Sequence, residues 1–197
     1  MKRFYRLVIM GFLVAAIVGA AETAYANLSR QAVIRGVVAG INQIHGDVAK
    51  PKVYYNIPRG FVSPCGPIDP NNAGYCPRNH TIYIGQGIQN LAYYRYGDAA
   101  LAYLVAHEYA HGMQVAFGFQ PGSTVLGELQ ADCLSGVYMA VIPNLTFDNR
   151  DIQEIVRFAY AIGGYETWSP NWHGTPQMRA KSVLTGLKAA RIQACSL

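Results

Sequence analysis

The sequence predicts an α+β fold that is mostly helical, with one domain and a small β-sheet. Long segments repeat apolar residues at the spacing of an α-helix, whereas only two short segments are rich in β-branched residues and tyrosine. The 197 residues are 51% hydrophobic, and they contain no internal repeat and no long linker. Since this is enough for one hydrophobic core, we expect a single domain over residues 27–197.

The individual elements follow from apolar spacing and from capping residues. Asp98, Ser123 and Thr175 are the expected N-caps of three helices, and Pro176 suits a first helical position. The predicted helices are 27–44, 98–117, 123–142, 149–162 and 176–192, and the predicted strands are 53–57 and 81–84.

Residues 1–26 have the pattern of a secretory signal peptide. Lys2, Arg3 and Arg6 form a basic start, an apolar run covers 7–21, and 24–26 read Ala-Tyr-Ala, a small-x-small cleavage site. The apolar run is shorter than the roughly 20 residues that cross a bilayer. We therefore expect cleavage and export to the periplasm or the medium, with a retained membrane anchor as the alternative.

The helix that begins near Asp98 is apolar almost all round, which predicts a buried helix. His107 and His111 are four residues apart on it, so their imidazoles project from one face and can bind one zinc ion. Glu108 lies on the adjacent flank, where a carboxylate can act as general base in a His-Glu-x-x-His motif. Chance polar residues are the alternative, but three ionisable groups on a buried helix are costly without a metal or a charge partner.

The next helix supplies a third ligand. Glu128 and Asp132 lie four apart on one stripe of an otherwise apolar helix, and the short connection makes the two helices antiparallel neighbours. We assign Glu128 to the zinc ion and Asp132 as the acceptor of a hydrogen bond from the far ring nitrogen of a ligating histidine. The reverse assignment and a solvated acidic face remain alternatives.

Three further histidines are candidates for other roles. His45 ends a helix, where the helix dipole would stabilise its charge, and His80 lies beside a strand, so both are expected at the surface. His173 precedes a capped helix with Arg179 in its first turn. This pair could donate hydrogen bonds to the oxyanion of a tetrahedral intermediate, and a purely structural role is the alternative.

The four cysteines indicate an oxidising compartment and two disulfides, for which three pairings are possible. We favour Cys65 with Cys76, because they bracket a loop rich in Pro, Gly and Asn that would gain most from a covalent link. Cys133 would then pair with Cys195 and attach the C-terminus to a core helix. A buried, unpaired Cys133 is the alternative.

Without residues 1–26 the formal net charge falls from +5 to +3, with 13 basic and 10 acidic residues. This charge is mild and the basic residues are scattered, so the composition does not indicate nucleic-acid binding. We expect a protein or peptide as the partner, and a membrane only if the N-terminal segment is retained. The sequence gives no indication of the oligomeric state.

Several blocks of the sequence together resemble the neutral zinc metallopeptidase family, bacterial proteins of the gluzincin type. The blocks are Cys65-Gly66 through Tyr75-Cys76-Pro77 with Ile82-Tyr83-Ile84, His107-Glu108-Tyr109-Ala110-His111 with Gln114, Glu128-Leu129-Gln130-Ala131-Asp132-Cys133, and His173-Gly174-Thr175 with Arg179. The resemblance implies a zincin-like domain whose sheet packs on the His-Glu-x-x-His helix, with strand 81–84 near the cleft that takes an extended substrate. It also implies zinc on His107, His111 and Glu128, with Asp132 in support.

The activity expected from the residues and from this resemblance is hydrolysis of peptide bonds, as an endopeptidase, with Glu108 as general base. A zinc-binding but proteolytically inactive protein that binds or assembles envelope components is the main alternative. Such a structural site is usually closed by four protein ligands and has no use for a free carboxylate. A zinc hydrolase that acts on a non-peptide amide is a further alternative.

Overall fold

The computed structural model describes residues 28–170 and 172–196, so the predicted signal peptide lies outside the described residues. In chain order the elements are α1 (Arg30–His45), β1 (Lys52–Ile57), β2 (Val62–Ser63), β3 (Gly66–Pro67), β4 (Ala73–Cys76), β5 (Thr81–Gly85), α2 (Gln86–Leu91), a π-helical turn (Ala92–Tyr96), α3 (Asp98–Ala116), α4 (Thr124–Val141), α5 (Asn149–Ala161), α6 (Pro176–Ala189) and a 3₁₀ turn (Ile192–Cys195). The predicted fold class, mostly helical α+β, is confirmed.

The main sheet has the strand order β1-β5-β4, in which β1 is parallel and β4 antiparallel to β5. Strand β5 is buried along its whole length, as expected of a central strand with β-branched residues. Strand β4 is the edge strand and lies in a segment that the sequence predicts as a loop. Its four residues include Ala73 and Gly74, which give no periodic signal.

Helix α3 is the centre of the core, and it packs against α1, α4, α5 and the sheet. Its predicted burial is confirmed over nearly its whole length. The prediction of Asp98 as its N-cap is wrong, because the cap is Gly97 and Asp98 is the first helical residue. Gly97 has a φ of 126°, and the Glu154 carboxylate fills the space that a Cβ at this position would take. The position therefore excludes the side chain of a usual capping residue.

Helices α4 and α6 cross at very short range. A Cβ on Gly136 would overlap the Val183 carbonyl oxygen, and a Cβ on Gly186 would overlap the Cys133 carbonyl oxygen. The two glycines therefore allow the backbones to touch in the second half of α6. Arg179, in the first turn of α6, forms an ion pair with Asp132 of α4.

Both favoured disulfides, Cys65–Cys76 and Cys133–Cys195, are present in the structure. The prediction that α6 extends to residue 192 is wrong, because Ala190 adopts a left-handed conformation and ends the helix. The chain then turns back, and Cys195 in the 3₁₀ turn reaches α4. Two disulfides indicate a protein that works outside the cytoplasm. Among the described residues, no helix has the length and apolar character to cross a membrane.

Candidate metal centre

The candidate metal centre lies between α3 and α4, on the wall of a cleft of about 650 Å³. His107 and His111 are one helical turn apart on α3, and Glu128 reaches them from α4. His107 Nε2 lies 3.2 Å from His111 Nε2 and 3.1 Å from Glu128 Oε2, and His111 Nε2 lies 3.3 Å from Glu128 Oε1. The structure thus brings together the three residues that the sequence predicts as ligands.

The chemistry and the spacing of these atoms fit a zinc ion. Imidazole nitrogen and carboxylate oxygen are usual zinc ligands, and bonds of about 2.0–2.2 Å in a tetrahedral site separate ligand atoms by about 3.3–3.5 Å. The three donor atoms already lie close to that separation, within 4.8 Å of one another. Within the described residues, no fourth side chain joins this group. Three protein ligands are the number found in catalytic rather than structural sites.

The electrostatics of the centre favour a cation. Burial alone would lower the pKa of His107, but hydrogen bonds to Asp132 and Glu128 outweigh burial and raise it to about 10. Burial alone would raise the pKa of Glu128, but the two histidines hold it well below its usual range. The carboxylates therefore stabilise positive charge between them, and a metal cation can take the place of the proton on His107.

Glu108 lines the same cleft and differs from the other acidic groups there. The residue is only 6% exposed, and within the described residues its carboxylate makes no hydrogen bond and no ion pair. Burial raises its pKa, although the nearby His107 and His111 act in the opposite direction. Glu108 is therefore largely buried as a residue, and its unpaired carboxylate in the cleft is available for proton transfer.

A charged network, formed by Tyr103, Asp132 and Arg179, lies behind His107. His107 Nδ1 is 2.9 Å from Asp132 Oδ1, the contact that the sequence predicts for Asp132. Arg179 donates through Nε and Nη2 to the two oxygens of Asp132, at 2.9 and 2.8 Å, and the Tyr103 hydroxyl donates to Oδ1 at 2.5 Å. Arg179 and His107 hold the pKa of Asp132 below its usual range despite complete burial. This network keeps the Asp132 carboxylate ionised and oriented toward the His107 ring.

Neutral groups lie behind His111. Its Nδ1 is 2.8 Å from Gln114 Oε1, and Gln114 Nε2 donates to the Gly127 carbonyl at 2.8 Å and to Gln130 Oε1 at 3.0 Å. Gln130 Nε2 in turn donates to the Cys195 carbonyl at 3.3 Å. We call Gln114, Gln130 and these two carbonyls the amide chain.

His173 and Arg179, the predicted oxyanion donors, both line the cleft but have different surroundings. The side chain of His173 is 42% exposed, its Nε2 lies 4.0 Å from Glu128 Oε1, and burial lowers its pKa. Arg179 is only 3% exposed, its Nε and Nη2 donate to Asp132, and Nη2 also lies 3.7 Å from Glu128 Oε2. These contacts favour a positioning role for Arg179, whereas His173 has a ring that a substrate can reach.

Three residues of the site were not singled out by the sequence analysis for the roles that they have here. Tyr103 is four residues before His107 and Gln114 three residues after His111, so helical spacing alone could have placed both beside the ligands. Gln130 carries no such signal, because its partner is a main-chain carbonyl 65 residues away.

The other two histidines do not join the metal centre. The expected surface position of His45 is wrong, because the ring is half-buried against the Tyr138 hydroxyl at 2.8 Å, and burial lowers its pKa. His80 is half-buried too, and it contacts the Tyr75 hydroxyl through Nδ1 and the Ala49 carbonyl through Nε2. Tyr75 itself lines the cleft, and its ring lies close to Gly112 of α3, the residue after His111.

Comparison with known proteins finds a matching family and several curated relatives. Residues 41–196 match the family described as "Putative neutral zinc metallopeptidase". The uncharacterized protein Rv2575 of Mycobacterium tuberculosis is 28% identical over 170 residues, which cover 66% of this chain and 57% of the relative. The uncharacterized protein YpfJ of Escherichia coli K12 is 30% identical over 113 residues, which cover 45% of this chain and 38% of the relative.

The match thus spans little more than half the length of Rv2575 and less than half the length of YpfJ. No solved structure matches the chain significantly.

Proposed function

Because the chain belongs to the neutral zinc metallopeptidase family, we propose that it is an exported endopeptidase with zinc bound by His107, His111 and Glu128. The observation that carries this proposal is Glu108, a largely buried residue whose carboxylate has no hydrogen-bond or ion-pair partner among the described residues and lies next to three atoms with zinc-ligand spacing. Among the described residues no fully buried side-chain oxygen lacks a hydrogen-bond partner, so the unpaired Glu108 carboxylate reaches the cleft, where a water molecule or a substrate can meet it.

Glu108 performs the proton transfers of the proposed reaction. When bound, zinc supplies Lewis-acid activation of a water molecule and of the scissile carbonyl. Glu108 accepts the proton that the attacking water loses and then donates it to the amine nitrogen that leaves. Burial raises the pKa of Glu108, and this makes its carboxylate a stronger proton acceptor than a solvent-exposed one.

His173 is placed to stabilise the developing charge on the substrate. Burial lowers its pKa, so its ring is neutral at pH 7 and carries one N–H donor. The ring lines the cleft near Glu128, where the carbonyl oxygen of a bound peptide would be within reach. We assign His173 as the donor to the oxyanion and Arg179 as a residue that positions Asp132.

The shape of the cleft supports an extended peptide as substrate. Residues 71–75, which lead into and form most of β4, line the same cleft as the metal centre. Among the described strands, β4 pairs only with β5, which leaves its other edge available for main-chain hydrogen bonds. A Cβ added to Gly74 would meet open space. A peptide can therefore pair with β4 and pass its backbone in front of Glu108.

The donor set supports catalysis over the alternative of a structural zinc site. A structural site is usually closed by four protein ligands, and the group within the described residues has three. The glutamate beside it would have no function in an inactive binding protein.

Metal analysis and a peptide-library digest of purified protein test the proposal. We expect one zinc per chain in the wild type and in Glu108→Gln, with cleavage in the wild type only. Glu154→Gln is the matched control, because Glu154 is a buried glutamate outside the cleft, and this variant should keep both zinc and activity. Full turnover by Glu108→Gln, or zinc without cleavage in every variant, would contradict the proposed function.

A further inference from the structure

We propose that Gln114 is a positioning residue that fixes the tautomer and the ring orientation of His111, and that Gln130 and the C-terminal turn hold Gln114 in place. The inference rests on the proposed zinc site, because it concerns how one of its ligands is prepared. Histidine ligands usually donate their second ring N–H to a neighbouring acceptor, which makes the other nitrogen available to the metal. For His111, the acceptor is an uncharged side chain.

The polarity of the amide chain is fixed by main-chain carbonyls, which accept but cannot donate. The Gly127 carbonyl lies 2.8 Å from the Gln114 amide, so the atom facing it must be the NH₂ group. The amide oxygen of Gln114 must then face His111 Nδ1 at 2.8 Å. Two acceptors cannot share one hydrogen bond, so Nδ1 carries the proton.

A main-chain carbonyl also fixes the orientation of Gln130, at the other end of the amide chain. The Cys195 carbonyl, 3.3 Å from the Gln130 amide, requires the NH₂ group of Gln130, so the oxygen of Gln130 accepts from Gln114. Two independent carbonyls therefore impose the same direction on Gln114. The Cys133–Cys195 disulfide keeps the second carbonyl on α4.

As a consequence, the His111 ring nitrogen that faces the cleft carries no proton. With its proton on Nδ1, the lone pair of His111 is on Nε2, which points toward His107 Nε2 and Glu128 Oε1. The opposite tautomer would place a lone pair of Nδ1 against the oxygen of Gln114 and a proton where the metal binds. Gln114 is only 7% exposed, so water cannot readily replace its hydrogen bonds.

Zinc affinity, measured by competition with a chelator, tests the proposal in Gln114→Met. Methionine fills similar space but accepts no strong hydrogen bond, and we expect the affinity to fall about 10–100-fold. Gln114→Glu should recover part of the loss, because its carboxylate accepts the same hydrogen bond from Nδ1. A purely structural role predicts no such recovery, since the carboxylate also faces the Gly127 carbonyl.

Gln89→Met is the matched control. Gln89 is also a buried glutamine, and its side chain accepts a hydrogen bond from Asn56 N at 2.9 Å away from the cleft. This variant should lose stability but bind zinc as the wild type does. Gln130→Met provides a second test if Gln114→Met does not fold, and its expected loss of affinity is smaller because Gly127 still directs Gln114.

Nitrogen NMR of the zinc-loaded protein provides a readout that a structural role would not change. We expect the proton of His111 on Nδ1, with a hydrogen-bonded signal that moves upfield in Gln114→Met while the signal of His107 is retained. Wild-type zinc affinity in both Gln114→Met and Gln130→Met, or an equal loss in Gln89→Met, would overturn the inference. If the wild type binds no zinc, the proposed zinc site itself has failed.

Discussion

The two histidines of the metal centre are supported in opposite ways. His107 contacts a charged network in which Asp132 is fully buried and Arg179 is 3% exposed, whereas His111 contacts a neutral amide and is itself 21% exposed at its side chain. A carboxylate makes a ligand more basic, but a buried carboxylate needs its own cation. An amide can orient a histidine ring without adding a buried charge. The centre thus holds His107 with a buried ion pair and His111 with a neutral hydrogen bond.

His45 shows what burial does to a histidine that has no carboxylate partner. Its neighbour is the Tyr138 hydroxyl, and burial, with a smaller contribution from Lys50, lowers its pKa. The pKa of His107 rises to about 10 although this residue is more deeply buried. The carboxylates on either side of His107 therefore outweigh the effect of burial.

Removal of Arg179 should have the largest effect on stability. Arg179→Met removes the guanidinium that contacts both oxygens of the buried Asp132 and leaves only His107 and Tyr103 beside this carboxylate, so we expect the free energy of unfolding to fall by about 3–5 kcal/mol. Denaturant titration of the metal-free protein measures this loss. The exposed Arg157 on α5 provides the control, because Arg157→Met should change stability by less than about 0.5 kcal/mol. Equal losses in the two variants would show that the charged network has no special energetic role.

Removal of the Cys133–Cys195 disulfide should have the next largest effect on stability. The double variant Cys133→Ala/Cys195→Ala should lose about 2–4 kcal/mol, because the disulfide closes a long loop. Its zinc affinity should fall less than that of Gln114→Met, since the Gly127 carbonyl still directs Gln114. Thermal unfolding and chelator competition on the same sample measure both quantities. A larger loss of affinity than in Gln114→Met would mean that Cys195, rather than Gly127, controls the amide chain.

Tyr103→Phe should lower the free energy of unfolding by a smaller amount and should affect only the charged network behind His107. It removes one hydrogen bond to the Asp132 carboxylate while Arg179 remains, and we expect a loss of about 1.5–3 kcal/mol. Because Tyr103 contacts neither Gln114 nor His111, the Nδ1–H signal of His111 should stay unchanged in the NMR spectrum. A shift of that signal would show that the two supports are coupled.

The smallest expected effect is a change in how the stability of the protein depends on pH. Since the folded-state pKa of His45 lies below 6.5, the unfolded chain binds a proton below pH 6.5 that the folded chain does not, and stability falls as pH falls through this window. His45→Gln should flatten this part of the stability profile while leaving stability above pH 7 nearly unchanged. Denaturant midpoints from pH 5 to 8, compared between the two proteins, measure the difference. An unchanged slope in the variant would assign the pH dependence to other groups.

The sequence predicts those parts of the molecule that have a local pattern. The buried α3 helix, the contact of Asp132 with a histidine and both disulfide pairings follow from spacing and composition, and the structure agrees with them. These features depend on side chains within one element or on a small number of cysteines.

The remaining features depend on contacts that leave no local pattern. The four residues of β4 have neither the length nor the composition of a typical strand, and their pairing with β5 defines them. The amide chain depends on the carbonyls of Gly127 and Cys195, and every residue has a carbonyl. The crossing of α4 and α6 requires glycine at two positions in different helices, and this becomes visible only when the helices are packed.

Anomalous diffraction from crystals of the zinc-loaded protein, recorded on both sides of the zinc absorption edge, tests the central claim most directly. The structure contains a second group whose ligand atoms lie within 4.8 Å, formed by Asp98, Asp151 and Glu154. We predict one strong anomalous peak, bounded by His107 Nε2, His111 Nε2 and the Glu128 carboxylate. A peak at the acidic group alone, or a peak between α3 and α4 that Glu128 does not contact, would contradict the account.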